Sequence, residues 1–395
     1  MSKRPVAPVA LVDPARMVPA NPRDYDYSPN MPRLWHGMTF AAWRQMSRGQ
    51  WANRAHIRPG LFASVTALSL GNSLMAALSQ AVHGRALARV RIEPDPVFVL
   101  GFWRSGTTWL HQLLSNDPRF TAPTSLQVFM PESFLVLSPV MRRLERLWLP
   151  EHRPMDAVAL EADTSEEDEV ALAVAGAASI IRTLSYGNTA DPRVTWDLEG
   201  LPEADRQHWR DTWIRFLTKV QYTAPGKQLL LKSPAHTMRI AEVLRQFPNA
   251  KFIHIVRDPY AVAASYLHSS EAMTATQTVL KVMPDPEEQL DGALRVLPEF
   301  HQAFDRQRHL IPEGNYTLLR YEDLRENTKP VLRQAYADLG LDSFAAIEPG
   351  LDRMIEARRG YKAGKPRLPP ALAARIEQEW AAYFQRYGYS TRTSE

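Results

Sequence analysis

The chain has 395 residues, 45% hydrophobic and 23% charged, which is enough apolar material for one large α/β domain with extensions or for two domains and excludes a disordered chain. Its net charge of +4 falls short of the clustered basic signature of a nucleic-acid binder, so no nucleic-acid partner is expected. The complete lack of cysteine excludes disulfides, thiolate catalysis and cysteine-based metal sites.

Residues 1 to about 33 are rich in Pro and polar groups and are expected to run over the surface. Pro and Asp interrupt every short apolar run of MSKRPVAPVALVDPARM, so a cytoplasmic chain is the expectation. Leu61 to Val82 contains no charged residue and could nearly cross a hydrocarbon core, but seven of its positions are Ser, Thr, Asn or Gln. Ala63, Ala67, Leu70, Leu74 and Leu78 fall on one helical face and Thr66, Ser69, Ser73 and Gln80 opposite it. The pattern predicts an amphipathic core or lid helix. A membrane-surface or hydrophobic-substrate contact is the alternative, and a true span is disfavoured by the polar face.

Val97 to Leu114, VFVLGFWRSGTTWLHQLL, reads as a short buried strand, a tight loop and a helix start. Such a loop binds phosphate, because Gly allows close approach and the first helical N–H groups point at the anion. The spacing is nearly that of a P-loop, but Thr107 stands where a nucleotide triphosphatase has Lys. Arg104 supplies positive charge instead, which favours a single terminal phosphate over a triphosphate chain.

After this loop, Phe129 to Leu137 is apolar and Met141-Arg142-Arg143-Leu144-Glu145-Arg146 reads as a solvated basic helix face. Glu166-Glu167-Asp168-Glu169 precede an Ala-rich helix, where Thr164 with Glu167 predicts a capping box and Ser165 with Asp168 resembles one. Four consecutive acids exceed that need, so a general base in this cluster is an open alternative. Gln228 to Lys232 and Lys251 to Val256 read as buried strands, each followed by a helix, and Tyr316 to Tyr321 as a further strand. Lys232 and Arg257 therefore fall at strand ends just before helices, and in an open parallel sheet that rim is where ligands bind. Ser265 lies about two helical turns beyond Arg257. The basic, glycine-bearing stretch Arg358 to Lys365 is suited either to closing over a phosphate or to plain solvation.

Arg104-Ser105-Gly106-Thr107-Thr108-Trp109, Arg257 with Ser265, and Tyr321-Glu322-Asp323-Leu324 together resemble the nucleotide-binding pattern of sulfotransferases that use 3′-phosphoadenosine 5′-phosphosulfate (PAPS). AspLeuGluGly at 197 to 200, LysSerProAlaHis at 232 to 236 and TyrGlyTyr at 387 to 389 resemble a bacterial-type branch of that family. The resemblance implies an α/β fold with a central parallel sheet of P-loop-like topology flanked by helices, over residues 91–395. Residues 1–90 would form an N-terminal extension with the amphipathic helix, and further helices would lie mid-chain. It implies that Arg104 to Trp109 hold the 5′-phosphosulfate, that Arg257 and Ser265 hold the 3′-phosphate, and that Tyr321 lies near the adenine. PAPS would be the cofactor, adenosine 3′,5′-bisphosphate (PAP) the product, and no metal would be required.

Sulfuryl transfer needs both ends positioned, the leaving phosphate neutralised and a proton taken from the acceptor hydroxyl. Arg104 and Lys232 suit the first two tasks. For the base, Pro234 occupies the place where cytosolic members carry His, and Thr124 to Gln127 lacks the Glu of the tyrosylprotein enzymes. Glu167 ranks first, His236 second and Glu169 third. The partner is a small-molecule hydroxyl acceptor, with a hydrophobic alcohol, phenol or lipid-like compound favoured by the Trp-bearing loop and the apolar stretches. Peripheral membrane contact and a homo-oligomer are both left open. The alternatives are an ATP-dependent phosphotransferase, disfavoured by Thr107, and a non-catalytic nucleotide-binding scaffold.

Overall fold

The computed structural model describes residues 16–48, 50, 54–156, 158–187, 197–341, 344–357 and 368–392. Its strands are β1 (Met17–Pro19), β2 (Val97–Leu100), β3 (Phe120–Thr121), β4 (Gln228–Lys232), β5 (Lys251–Val256), β6 (Val282–Pro284) and β7 (Tyr316–Arg320). The chain forms two compact units. One contains residues up to Val90 together with Pro123–Thr223 and Ser269–Gln289; the other contains Arg91–Ala122, Ala224–His268 and everything from Leu290 on.

The second unit is built on a five-stranded sheet of order β3-β4-β2-β5-β7, with every described pairing parallel. All four residues of β2 are buried. Strands covered on both faces read as unbroken apolar runs, which is why VFVL, QLLLK and KFIHIV were legible as strands. Val97, Val99, Leu230, Ile253 and Ile255 pack one face against Leu110, Leu113 and Leu114 of the helix Thr107–Leu114 and against Leu332 and Tyr336 of Thr328–Asp338. The register sets Val99 opposite Lys232 and Leu100 opposite His254, so the carboxyl ends of β2, β4 and β5 align at one rim. The two-residue edge strand β3 is too short to carry a periodic signal of its own.

The first unit is helical with one small antiparallel pair, β1 with β6. Trp35, Met38, Trp43, Met46, Val65, Val174, Tyr186 and Leu280 make its main core. Its early residues depart from the expectation of a surface-wandering segment. Tyr27 and Arg33 are buried, Tyr27 donates to the Pro32 carbonyl at 2.6 Å, and Arg33 donates to the carbonyls of Ser28 and Met31.

The long helix Pro59–Leu87 overturns the expectation of a core or lid helix burying its apolar stripe. Its polar face is turned to the unit's interior. Thr66 accepts the Trp43 indole N–H at 2.9 Å, Ser73 accepts the Phe40 N–H, and the Asn72 amide donates to the carbonyls of His36 and Met38. Ser69 and Ser79 are buried, whereas Leu70, Leu74 and Leu78 are 55%, 65% and 45% exposed. Backbone and indole groups of the neighbouring segments need hydrogen-bond partners, and this helix supplies them.

Candidate active site

The loop after β2 is shaped by glycine at its two tightest points. Gly101 has φ +142°, and a Cβ there would lie 2.5 Å from the Ile255 carbonyl oxygen. Gly106 has φ +103°, and its Cβ would lie 2.4 Å from the Tyr321 ring. Neither position admits a side chain. Between them Arg104 adopts φ +68°, a conformation that a non-glycine residue holds only against some strain. Gly101 N–H donates to the Thr237 hydroxyl at 3.0 Å, and both the N–H and the hydroxyl of Ser105 donate to the Phe102 carbonyl. Ser105 thus spends its donors on closing the loop. The helix begins at Thr107, where the first N–H groups have no intrahelical acceptor, an arrangement suited to an anion.

The residues expected to bind the nucleotide, separated by up to 217 positions, are brought together around this loop. Arg104 Nε donates to Ser265 Oγ at 2.8 Å. The Arg257 guanidinium donates to the Arg104 carbonyl at 3.0 Å and lies 4.3 Å from the centre of the Tyr321 ring, which itself covers Gly106. Lys232 ends β4, is 1% exposed, and stands level with Val99, two residues before Gly101. Arg104, Lys232 and Arg257 thus bring three basic side chains to the rim of one sheet. Trp109 packs against the sheet core, whereas Trp103 joins Phe102, Tyr266 and Phe300 in an aromatic cluster with ring centres 4.9 to 6.4 Å apart. Burial pushes the Tyr266 hydroxyl pKa up.

A support that the sequence did not announce holds Arg257 in place. The Tyr383 hydroxyl accepts from the Arg257 N–H at 3.1 Å and donates to the Arg257 carbonyl at 2.9 Å. Tyr389 stacks on Tyr383 and donates to Glu322, whose other carboxylate oxygen accepts the Asp258 N–H. Glu322 and Tyr389 belong to motifs read from sequence. Tyr383 lies 126 residues from Arg257 and gave no local signal.

The base candidates are placed as follows. His236 is fully buried, edge-on to Phe98 with ring centres 5.4 Å apart, in the 3₁₀ turn Pro234–Met238. In the other unit, a helix begins inside the acidic run, at Asp168 with Glu167 as its N-cap, so the capping box expected between Thr164 and Glu167 does not form. Thr164 instead accepts the Glu161 N–H at 3.0 Å. Asp168 is buried and accepts the Trp213 indole N–H at 2.7 Å, and Glu169 is buried and accepts the Ser179 hydroxyl at 2.7 Å. Glu166 is also buried, which leaves Glu167 as the partly accessible acid of the four. Thr124 to Gln127, where a Glu was sought, forms a helix cap in which Gln127 accepts the Thr124 N–H. Nearby, Glu132 is an acid the sequence reading passed over. It bonds Lys219 at 2.5 Å and Arg215 at 3.0 Å, and those cations hold its carboxyl below the ordinary range against the opposing effect of burial. Among the described residues no cluster of His, Asp and Glu could hold a metal ion. Arg358 to Lys365 lies outside the described residues.

A profile described as "Sulfotransferase family" matches residues 96–345. The chain is 33% identical over 364 residues to proteins of Mycobacterium bovis and Mycobacterium tuberculosis named omega-hydroxy-beta-dihydromenaquinone-9 sulfotransferase Stf3, covering 92% of each chain. In structure it is similar to the sulfotransferase STF9 of Mycobacterium avium, with a TM-score of 0.66 at 18% identity and coverage of 93% of this chain and 95% of that one. The sulfotransferase STF1 of Mycobacterium tuberculosis is similar at a TM-score of 0.57 and 16% identity, over 95% and 99% of the two chains.

Proposed function

We propose, from the premise that the chain belongs to the sulfotransferase family, that it sulfates the hydroxyl of an apolar, lipid-like alcohol at the site around Gly101 to Thr108. The family's sulfuryl donor is PAPS, and the chemistry of the donor set fits it. Cationic and N–H donors gathered around one loop, Arg104, Lys232 and the first N–H groups of the helix beside Arg257 and Ser265, suit a nucleotide with phosphates at both 5′ and 3′ positions, and Gly101 and Gly106 leave space where any Cβ would intrude. Bound there, PAPS would supply its sulfuryl group to the acceptor oxygen and leave as PAP.

The protein's own groups then divide the work. The N–H groups at Thr107 and Thr108 and the Arg104 guanidinium hold the 5′ end, and Lys232 neutralises the charge that develops on the leaving phosphate. Arg257 would hold the 3′-phosphate through charge-assisted N–H donors. Ser265 accepts from Arg104 and so keeps its own proton to give to the same phosphate. Tyr321, between Gly106 and Arg257, borders the adenine. Glu167 takes the acceptor's proton; its support is that it is the partly accessible acid of its run, whereas Glu166, Asp168, Glu169 and His236 are buried.

The observation that carries the acceptor class is the 33% identity over 92% of the chain to enzymes named for an ω-hydroxylated menaquinone. The loop's aromatic cluster of Phe102, Trp103, Tyr266 and Phe300 supports the same reading. A cytoplasmic location is part of this proposal. Purified protein assayed with PAPS and a graded series of primary alcohols, from short soluble ones to long isoprenoid ones, is expected to show kcat/KM rising with apolar length. Preference for sugars or for short phenols would refute the acceptor class.

A further inference from the structure

We infer that the helical unit docks in the plane of an anionic phospholipid bilayer through the outward face of the helix Pro59–Leu87. The orientation of that helix is the starting point. A helix in water turns its apolar stripe inward, but here Thr66, Asn72 and Ser73 face the protein and satisfy Trp43, His36, Met38 and Phe40. The outward stripe is Ala63, Ala67, Leu70, Leu74, Ala77, Leu78 and Ala81, all exposed at steps of three and four residues along the helix. Such a continuous apolar surface on one helix is not an ordinary solvated face.

The neighbourhood identifies the occupant. The helix has no Asp or Glu anywhere in its 29 residues, and it ends in Arg85 with Arg89 beyond, both exposed. It packs against the helix Phe134–Arg143, which continues into Glu145–Trp148 and exposes Val140, Leu144 and Leu147, the last at 70%. Arg142, Arg143 and Arg146 are exposed on that same segment, and only Arg142 has an acid, Asp163, paired with it among the described contacts of the three. Apolar side chains flanked by Arg85, Arg89, Arg143 and Arg146, none paired with an acid among the described contacts, match acyl chains beneath anionic headgroups. A second copy of the chain fits poorly, because a two-fold interface would set these arginines against one another. The helix cannot cross the bilayer alone while its polar face is bonded to its own unit, so the geometry is in-plane.

The full chain is tested by co-sedimentation with vesicles of phosphatidylcholine alone and of phosphatidylcholine mixed with phosphatidylglycerol. The expected result is binding to the mixed vesicles that weakens with salt. Leu74→Glu/Leu78→Glu is expected to lower the partition coefficient roughly 100-fold, and Arg143→Glu/Arg146→Glu about 25-fold or more, with the second loss confined to anionic vesicles. Turnover of a short soluble alcohol should stay unchanged in both variants, which separates this inference from the acceptor reading. Should the leucine pair unfold by circular dichroism, Ala67→Glu/Ala77→Glu on the same stripe gives the same test. No binding to mixed vesicles at low salt, binding that the glutamates leave intact, or a dimer that the glutamates dissociate in place of vesicle binding would each overturn it.

Discussion

Replacing Arg257 tests how the nucleotide is read, because its guanidinium is expected to contact the 3′-phosphate and nothing else on the ligand. In the protein it donates to the Arg104 carbonyl at 3.0 Å and covers the Tyr321 ring at 4.3 Å. Arg257→Ala removes a bidentate pair of charge-assisted bonds to phosphate, at about 1.5–3 kcal/mol for each such bond before the losses overlap. A net loss of about 2–4 kcal/mol raises the Kd for PAP roughly 30- to 1,000-fold. Arg257→Lys keeps the charge but not the planar fork, and a loss of about tenfold is expected. Titration calorimetry with PAP and with adenosine 5′-monophosphate, which lacks the 3′-phosphate, completes a double-variant cycle. Arg257→Ala should weaken the monophosphate less than about threefold, whereas Arg104→Ala should weaken both ligands alike. If Arg257→Ala weakened both ligands equally, the assignment of Arg257 to the 3′-phosphate would be wrong.

The remaining predictions concern the base, a buried ion cluster and acid stability. Glu167→Gln should cut kcat by about a hundredfold or more while leaving PAP affinity unchanged; if neither it nor His236→Ala slowed turnover, neither group could be the base. Glu132→Gln leaves Lys219, 6% exposed, without its carboxylate partner, and urea unfolding should register a loss of about 3 kcal/mol; a change below about 0.5 kcal/mol would show that the pair is solvated. His36 accepts the Arg33 N–H on Nδ1 at 2.8 Å, and burial pushes its pKa down from 6.5 to about 4. The folded state therefore binds fewer protons than the unfolded one between those values, so this contribution is complete above pH 6.5 and is lost as pH falls toward 4. Unfolding at pH 7 and pH 5 should show His36→Gln, which keeps an acceptor without titrating, about 2 kcal/mol less acid-sensitive than the parent; equal sensitivity would contradict the assignment. His254, pushed down to about 3 by burial, acts in the same direction and is common to both proteins.

Much of the sheet and its rim could be read from the chain alone, because the signals are local. A parallel strand covered on both faces is a short unbroken apolar run, and a glycine loop followed by a helix start is contiguous in sequence, so β2, β4, β5 and Arg104 to Thr108 carry their own description. Charged residues at the ends of such runs, Lys232 and Arg257, inherit their position from the strand that delivers them. Contacts between distant segments decided the rest. The hold of Tyr383 on Arg257 joins backbone and side chain 126 residues apart, and no periodicity encodes it. The Thr164 box lost to a helix start four residues later, where Asp168 is fixed by Trp213. The direction of the Pro59–Leu87 stripe is the clearest case. Periodicity fixes which side chains share a face but is blind to which face the neighbours need, and the unpaired N–H and carbonyl groups of residues 36–43 drew in Thr66, Asn72 and Ser73 and left the leucines outside.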